Sequence, residues 1–285
     1  MLLCIDVGNT QIALGLYPDA PDDMVRPDLV RDWRMRTDSR MTADELDVAI
    51  RGLLGEHAAD VTGIAALSTV PALLRELRLL LDRGGSRIPA VVVGPGVRTG
   101  VPLLVDNPRE VGADRVVNTL AAHRLFGTAC VVVDFGTSTN IDVVSARGEF
   151  LGGALAPGIE ISLEALATRA AALRTVELVR PRSVIGKNTV ECLQSGVLYG
   201  FAGQVDGLVC RIIDELGPKA GPVTVLATGG LAPLMEGESS TIMEFVPDLT
   251  LIGLRLTYLR NVRGAVDTGR ANAVPVARAP GRGDR

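Results

Sequence analysis

A short acidic turn between two apolar strands occurs twice in this chain. The first copy, at Asp6–Thr10, follows the run LLCI, and the second, at Asp134–Ser138, follows the run ACVVV. Asp6 aligns with Asp134 at an offset of 128 residues, and the glycine, amide and hydroxyl residues of the two turns align at the same offset. Two copies of one strand–turn–strand unit predict a duplicated α/β fold, with two similar domains around a cleft.

The pattern around each turn supports two domains in sequence. After the first hairpin we predict a third strand, a helix that begins with the capping box Thr42–Glu45, and then alternating strands and helices. The second hairpin is again followed by a third strand and helical sequence, including a long helix capped by Asn188. We therefore expect domains at 1–127 and 128–261, and a disordered tail at 262–285 that is rich in Arg, Ala, Gly and Pro.

The composition argues against several classes of function. The 285 residues carry a net charge of −4 without a run of Lys or Arg, so we expect no nucleic-acid partner and no binding to an anionic membrane. His57 and His123 are the only histidines and do not form a ligand-spaced cluster, which argues against a zinc site. Because we find no signal peptide and no apolar run of about 18 residues, we expect a cytoplasmic protein without a membrane span.

The residue types in the two turns suit a bound nucleotide. Glycine lets the backbone approach a phosphate, and backbone N–H groups and small hydroxyl side chains donate hydrogen bonds to its oxygens. Asp6 and Asp134 would repel phosphate unless a cation lay between, so the turns predict ATP together with a metal ion, most simply Mg²⁺. The alternative is that Asp and Gly occur here for turn geometry alone. The second copy and a later loop, Thr228–Gly230, favour the nucleotide interpretation.

Five stretches of the chain resemble type III pantothenate kinases, which belong to the actin, sugar-kinase and Hsp70 superfamily. These stretches are DVGNT at Asp6–Thr10, DNPREVGADR at Asp106–Arg115, DFGTSTN at Asp134–Asn140, GGALAPGI at Gly152–Ile159 and TGG at Thr228–Gly230. The resemblance spans most of residues 1–260 and leaves out the tail. It implies a duplicated ribonuclease H-like fold, a homodimer, and ATP-dependent phosphorylation of the terminal hydroxyl of pantothenate, the first step toward coenzyme A.

The resemblance also implies roles for individual residues. The implied ATP-binding loop consists of Asp6, Val7, Gly8, Asn9, Thr10, Gln11, Ile12 and Ala13, with Thr137 as a second ATP contact. The implied pantothenate site consists of Gly112, Ala113, Asp114, Arg115 and Thr189, the last of them near the dimer partner. Asp114 takes the role of general base, Asp134 that of ligand to K⁺ or NH₄⁺, and Asp6 that of Mg²⁺ ligand, directly or through water.

Several alternatives stay open on the sequence. Asp114 lies in the first turn of a predicted helix, where a carboxylate is also explained as a helix cap. Arg109 and Arg115 are either ligands of the substrate carboxylate or solvated surface residues. Val105 stands where the family commonly has an aromatic residue, usually Tyr, so another small alcohol is a rival substrate. A non-catalytic regulator on the same fold is the other rival, and the intact acidic residues argue against it.

Overall fold

The computed structural model describes residues 1–20, 24–83, 88–169 and 176–263. Within these ranges the chain forms two five-stranded mixed sheets with helices on their faces, which is the expected α/β class. The first-half elements are β1 (Leu2–Val7), β2 (Gln11–Tyr17), β3 (Arg31–Arg36), α1 (Ala43–Leu54), β4 (Gly63–Ser68), α2 (Pro71–Arg83), β5 (Ala90–Val92) and α3 (Ala113–Phe126). The second-half elements are β6 (Ala129–Phe135), β7 (Ser138–Val144), β8 (Phe150–Pro157), α4 (Ile159–Arg169), α5 (Thr189–Leu216), β9 (Val223–Thr228), β10 (Glu244–Phe245) and α6 (Leu249–Tyr258).

The two sheets have the same topology, which confirms the duplication. Their strand orders are β3-β2-β1-β4-β5 and β8-β7-β6-β9-β10. In each sheet the two strands of the hairpin pair antiparallel, and the first strand of the hairpin pairs in parallel with a later strand, as β1 does with β4 and β6 with β9. Asp6 and Asp134 therefore occupy equivalent places, since each is the second-last residue of its strand.

Local side-chain hydrogen bonds fix the starts of two helices. At α1 the Glu45 N–H donates to the Thr42 hydroxyl at 3.3 Å, and the Thr42 N–H donates to a Glu45 carboxylate oxygen at 2.8 Å, so the predicted capping box is confirmed. At α5 the Glu191 N–H donates to the Asn188 side chain at 2.9 Å, as predicted. Both helix starts could be predicted from the sequence, because each hydrogen bond joins residues three positions apart.

Helices α3 and α6 lie between the two sheets. Leu251 and Leu254 of α6 pack on β1 and β4, while Leu120 of α3 packs with β6 of the second sheet. Where the two helices meet, Gly253 lies so close to the carbonyl oxygen of Val117 that a Cβ would overlap it. Because α6 comes from the second half of the chain and packs on the first sheet, the division at residue 127 stays a prediction.

Helix α5 has 28 residues and packs on the second sheet through one face. Leu198, Ala202, Val205 and Val209 are buried on that face. Within the part of the chain that the structure describes, α5 is the one helix long and apolar enough, by length and composition, to cross a membrane. The sequence analysis predicted this helix but did not identify it as a possible membrane span, because polar residues and Asp206 interrupt its apolar residues.

The described part of the chain ends in a π-helical turn, Leu259–Arg263. The Asn261 amide donates to the carbonyl oxygens of Arg98 and Thr257 at 2.9 and 2.8 Å, which fastens this turn to the first half. The predicted tail at 262–285 overlaps the described residues only at 262–263, which belong to this turn. The rest of that prediction lies outside the described residues.

Candidate active site

The two acidic turns meet at their tips. The Thr10 and Thr137 hydroxyl oxygens lie 3.1 Å apart. A main-chain hydrogen bond closes each turn, since the Gly8 and Gly136 N–H groups donate to later carbonyl oxygens at 3.0 and 3.1 Å. The structure thus brings together the two turns that the sequence aligns at an offset of 128 residues. We call the space between them the cleft.

The residues of the implied ATP loop divide into two sets. Val7 and Ile12 are fully buried in the core and pair with each other in the β1–β2 ladder, so their side chains are not available to a ligand. Asp6 and Ala13 are opposite each other in the β1–β2 ladder and share the other face of the sheet. The tip residues Asn9, Thr10 and Gln11 are exposed. The loop therefore offers one carboxylate, a small apolar side chain and an exposed polar tip.

Asp6 on the first sheet and Asp134 on the second sheet are close enough for the charge of Asp6 to act on Asp134. Desolvation raises the pKa of Asp6 to about 7, with a further rise from the charge of Asp114 and a partial fall from Arg34. Desolvation also raises the pKa of Asp134 to about 7, and the charges of Asp114, Asp6 and Asp142 raise it further. Carboxylates that repel one another in a poorly solvated place favour a bound cation.

Helix α3 brings Asp114 to these two carboxylates. Gly112 is the residue before the helix, and a Cβ at that position would displace the Asp114 carboxylate. Desolvation raises the pKa of Asp114, while the hydrogen bond from the Arg115 N–H and the charge of Arg115 lower it in part. The net rise makes Asp114 a stronger base than an ordinary aspartate.

Bare backbone surrounds the second turn. Gly229 has a φ of 93°, and a Cβ there would lie 2.5 Å from Asp134 Oδ1 and 2.6 Å from the Phe135 carbonyl oxygen. A Cβ at Gly158 would overlap the Thr137 carbonyl oxygen. A larger residue at either place would move the turn or the carboxylate. Two of the stretches that carry the family resemblance therefore pack directly against the second acidic turn.

An ion pair joins Arg115 to Asp142, a residue that the sequence analysis missed. Arg115 Nε and Nη2 donate to Asp142 Oδ1 at 2.8 and 2.5 Å. The Asp142 side chain is 1% exposed and lies on β7 among apolar neighbours. Desolvation raises the pKa of Asp142 to about 6, although Arg115 lowers it in part. A carboxylate within an otherwise apolar stretch, IDVV, was the signal that could have identified it.

A second cation near the cleft was also missed. Arg34 of β3 lies opposite Ala13, which lies opposite Asp6, so the three side chains share one face of the first sheet. The charge of Arg34 lowers the pKa of Asp6 in part. From sequence alone, Arg34 belongs to an alternating strand, RDWRMR, whose register to β2 is not visible. The face that it shares with Asp6 therefore emerges only from strand pairing.

Three residues linked to the substrate lie at the margin of the cleft or away from it. Thr189 is exposed at the first position of α5, and within the described ranges no hydrogen bond or ion pair joins it to the acidic cluster. Arg109 is exposed in a 3₁₀ turn, Pro108–Glu110. Val105 Cγ1 lies 3.7 Å from the Cβ position of Gly152. The structure thus places Asp114 and Arg115, but not Thr189, beside the two turns.

The donor set in the cleft suits hard cations. In the described residues no three His, Cys, Asp or Glu side chains are grouped closely enough to hold a metal ion by themselves. Asp6 and Asp134 offer carboxylate oxygens with raised pKa values, and Thr10 and Thr137 offer hydroxyl oxygens. Oxygen ligands are those that Mg²⁺ and K⁺ prefer, and a Mg²⁺ ion commonly completes its shell with water and phosphate. The residues present therefore fit a cation that is bound together with a nucleotide.

The sequence is similar to known proteins over most of its length. Residues 2–211 match the family described as type III pantothenate kinase. A protein of that name from Saccharopolyspora erythraea is 73% identical over 262 residues, which cover 92% of this chain and 99% of that protein. Another from Rhodococcus jostii is 63% identical over 262 residues, with 92% and 96% covered.

Solved structures with little sequence identity share the fold. A Baf-family protein from Campylobacter jejuni has a TM-score of 0.56 at 16% identity, covering 92% of this chain and all of that one. The ethanolamine utilization protein EutJ from Carboxydothermus hydrogenoformans has a TM-score of 0.51 at 15% identity, with 90% and 89% covered. The predicted duplicated ribonuclease H-like fold is confirmed.

Proposed function

The chain belongs to the type III pantothenate kinase family, and we propose that it transfers the γ-phosphoryl group of ATP to pantothenate in the cleft between its two acidic turns. It is an ATP-dependent kinase of coenzyme A biosynthesis. One observation carries the assignment of the site. The Thr10 and Thr137 hydroxyls lie 3.1 Å apart, and the charge of Asp114 acts on both Asp6 and Asp134. A triphosphate bound there would contact both turns and lie beside a carboxylate base.

The first turn and the tip of the second form the proposed ATP site. In the stretch 6–13, main-chain N–H groups and the Asn9 and Thr10 side chains donate to phosphate oxygens, and Thr137 donates from the other side. Val7 and Ile12 hold the loop in place, because their side chains are in the core and they pair with each other in the β1–β2 ladder. Phosphoryl transfer passes through a loose transition state, so alignment and charge stabilisation supply most of the catalysis.

Asp114 is the proposed general base. It accepts the proton of the attacking hydroxyl, and the raised pKa that desolvation gives it brings its basicity closer to neutral pH. Gly112 and Ala113 place main-chain N–H groups at the start of α3, where the helix dipole favours an anion. Arg115 pairs with the substrate carboxylate. In this proposal the carboxylate of pantothenate binds Arg115 and its reacting hydroxyl lies at Asp114.

Two cations complete the proposed site. The family implies ATP with a divalent metal ion, which we propose is Mg²⁺; Asp6 would hold it, directly or through water, and the ion would neutralise charge on the phosphates. Asp134 is the proposed ligand of K⁺ or NH₄⁺. Activity should therefore be low when Na⁺ is the only monovalent cation and should return with K⁺ or NH₄⁺. Equal initial rates in Na⁺ and K⁺ would remove the role of Asp134.

A homodimer is the proposed assembly. Half of the exposed large apolar side chains in the described residues lie between residues 155 and 190, among them Val184 and Ile185 at 66% and 69% exposure. Thr189 lies at the end of this stretch, so a partner that covers Val184 and Ile185 would lie near the proposed substrate contact. Light scattering coupled to gel filtration should give a dimer for the wild type and a shift toward monomer for Ile185→Asp. Val48→Asp, at an equally exposed site on α1, is the matched control.

We further propose that the enzyme works in the cytoplasm without a nucleic-acid or membrane partner. The net charge of −4 and the absence of a basic run in the sequence support this. Four apolar residues of α5 are buried against the second sheet, and Asp206 in the same helix accepts hydrogen bonds from Ser239 and Thr241. Both features suit a helix that belongs to a folded domain.

The direct test of the function is a product assay. Purified protein with ATP, Mg²⁺, K⁺ and pantothenate should form 4′-phosphopantothenate, detected by mass spectrometry, together with an equal amount of ADP. Sugars and polyols in place of pantothenate are the substrate controls. ADP release that is faster with a sugar or polyol, or an absence of phosphorylated pantothenate, would refute the proposed substrate.

A further inference from the structure

The Arg115 guanidinium is held from two directions. Its Nε and Nη2 both donate to Asp142 Oδ1, at 2.8 and 2.5 Å. Its central carbon lies 5.1 Å from the centre of the Phe150 ring. Charge-assisted hydrogen bonds fix the in-plane direction of a guanidinium, and an aromatic face fixes its plane. Arg115 therefore has far less freedom than a surface arginine.

Burial of the Asp142 carboxylate costs free energy of folding, which points to a role for this residue beyond packing. Its side chain is 1% exposed, and its Oδ2 is buried without a hydrogen-bond partner in the described part of the chain. A buried ion pair with an unsatisfied oxygen is often no more stable than an apolar replacement of similar shape. The single satisfied oxygen, Oδ1, is the one that faces Arg115. The hydrogen bonds of this ion pair therefore serve to orient the Arg115 guanidinium.

The rest of the Arg115 fork is available to a ligand. No further hydrogen bond to its guanidinium is found within residues 1–20, 24–83, 88–169 and 176–263, so Nη1 keeps both of its N–H groups. The Arg115 side chain remains 21% exposed although its partner is buried. Arg115 follows Asp114 directly in the first turn of α3. The residue that carries the free N–H groups is thus the next one in the chain after the proposed base.

We propose that Asp142 is a positioning residue that aims Arg115 at the carboxylate of the substrate and so makes the enzyme selective for an acidic alcohol over an uncharged one. This inference rests on the proposed function. Asp142 itself touches neither substrate nor phosphate. It acts by fixing the direction of the Arg115 fork through two hydrogen bonds to one oxygen.

The test compares two alcohols on the same enzyme preparation. The values of kcat/KM are measured for pantothenate and for pantothenyl alcohol, in which a hydroxymethyl group replaces the carboxylate, with wild type, Asp142→Asn and Arg115→Lys. The wild type should prefer pantothenate, and the preference should fall by about tenfold or more in Asp142→Asn because a charge-assisted contact loses its alignment. The KM for ATP should change by less than about threefold, since within the described residues no hydrogen bond joins Asp142 to either turn and its charge is the smallest of those that raise the pKa of Asp134.

The ratio of the two substrates separates positioning from general structural damage. A merely structural role would lower both kcat/KM values together and leave their ratio unchanged, and that result would overturn the proposal. Asp47→Asn, which breaks the exposed Asp47–Arg51 pair on α1, is the matched control and should leave the ratio at its wild-type value. If Asp142→Asn does not yield folded protein, the ratio of the two kcat/KM values is measured for Asp142→Glu instead. This variant keeps the charge and moves the carboxylate by one methylene. A wild type with no activity on pantothenate would instead refute the proposed function, and this inference with it.

Discussion

Replacement of Asp114 by asparagine separates its proposed chemical role from its place in the fold. Asparagine keeps the size of the side chain and its acceptor oxygen but is a far weaker base. In the structure Asp114 lies at the start of α3, where desolvation raises its pKa and its charge in turn raises the pKa values of Asp6 and Asp134. Asp114→Asn therefore removes the base and relieves repulsion among the carboxylates.

The expected loss in kcat is about 10²–10⁴-fold, the usual contribution of a positioned general base. This corresponds to about 3–5 kcal/mol of transition-state stabilisation, since each 1.36 kcal/mol is tenfold in rate. The KM for ATP should stay within about threefold of wild type, because relief of the repulsion acts against any loss of order at the phosphates. The effect should thus fall almost entirely on kcat.

The pH profile provides a second readout. A base works only when ionised, and the pKa of Asp114 is raised from 3.8. The kcat of the wild type should therefore fall as the pH is lowered through that raised pKa, at a higher pH than for an ordinary aspartate. The residual kcat of Asp114→Asn should lack this acid limb, because the cations bound together with ATP would keep Asp6 and Asp134 ionised.

Mass spectrometry of 4′-phosphopantothenate, with ADP release as a second measure, gives kcat for both proteins from pH 5 to 9. Asp106→Asn is the control, because Asp106 is exposed and belongs to the same D-N-P stretch. A loss of less than about threefold with the acid limb retained would show that Asp114 is not the base.

Two further predictions concern the substrate side and the second domain. Val105→Tyr should lower the KM for pantothenate about 2- to 10-fold through one added hydrogen bond and leave the KM for ATP unchanged. Leu104→Tyr is the control. An unchanged KM for pantothenate would show that position 105 does not reach the substrate. Desolvation raises the pKa of Asp206, but hydrogen bonds from Ser239–Thr241 outweigh it and hold the pKa at about 2. Asp206→Asn should therefore lower the free energy of unfolding at pH 7 by about 1 kcal/mol after allowance for solvent exposure, and the difference from wild type should narrow as the pH falls from 3.8 toward 2. Urea unfolding measures it, with Asp214→Asn on the same helix as control, and a constant difference across that pH range would refute the argument.

The parts of the fold that the sequence predicted correctly depend on short-range interactions. The Thr42–Glu45 box and the Asn188 cap each join residues three positions apart, and both form as predicted. The duplicated hairpin was visible because turn chemistry repeats at a fixed offset in sequence. A single turn of this kind would have been ambiguous, since Asp and Gly favour turns without any ligand.

The parts that the sequence could not predict depend on contacts between distant segments. Nothing in the spacing of Leu251 and Leu254 shows that α6 packs on the first sheet, because an apolar face reveals burial but not its partner. Arg34 reached the cleft through the register of two strand pairings. Asp142 is 27 residues from Arg115 in sequence, and only the approach of β7 to α3 joins them.

For the same reason each acidic residue could be identified from the sequence, but the effect of their charges on one another's pKa values could not. Asp6 and Asp134 are related by the duplication, and Asp114 entered through a separate motif at the start of a helix. In the structure the charge of Asp114 raises the pKa of both others, so the free protein holds three carboxylates that disfavour one another's ionisation. Such repulsion lowers stability unless a ligand offsets it. The duplication supplies the two symmetric carboxylates Asp6 and Asp134, and helix α3 adds Asp114, so the residue proposed as the base is also the one whose charge acts on both repeated positions.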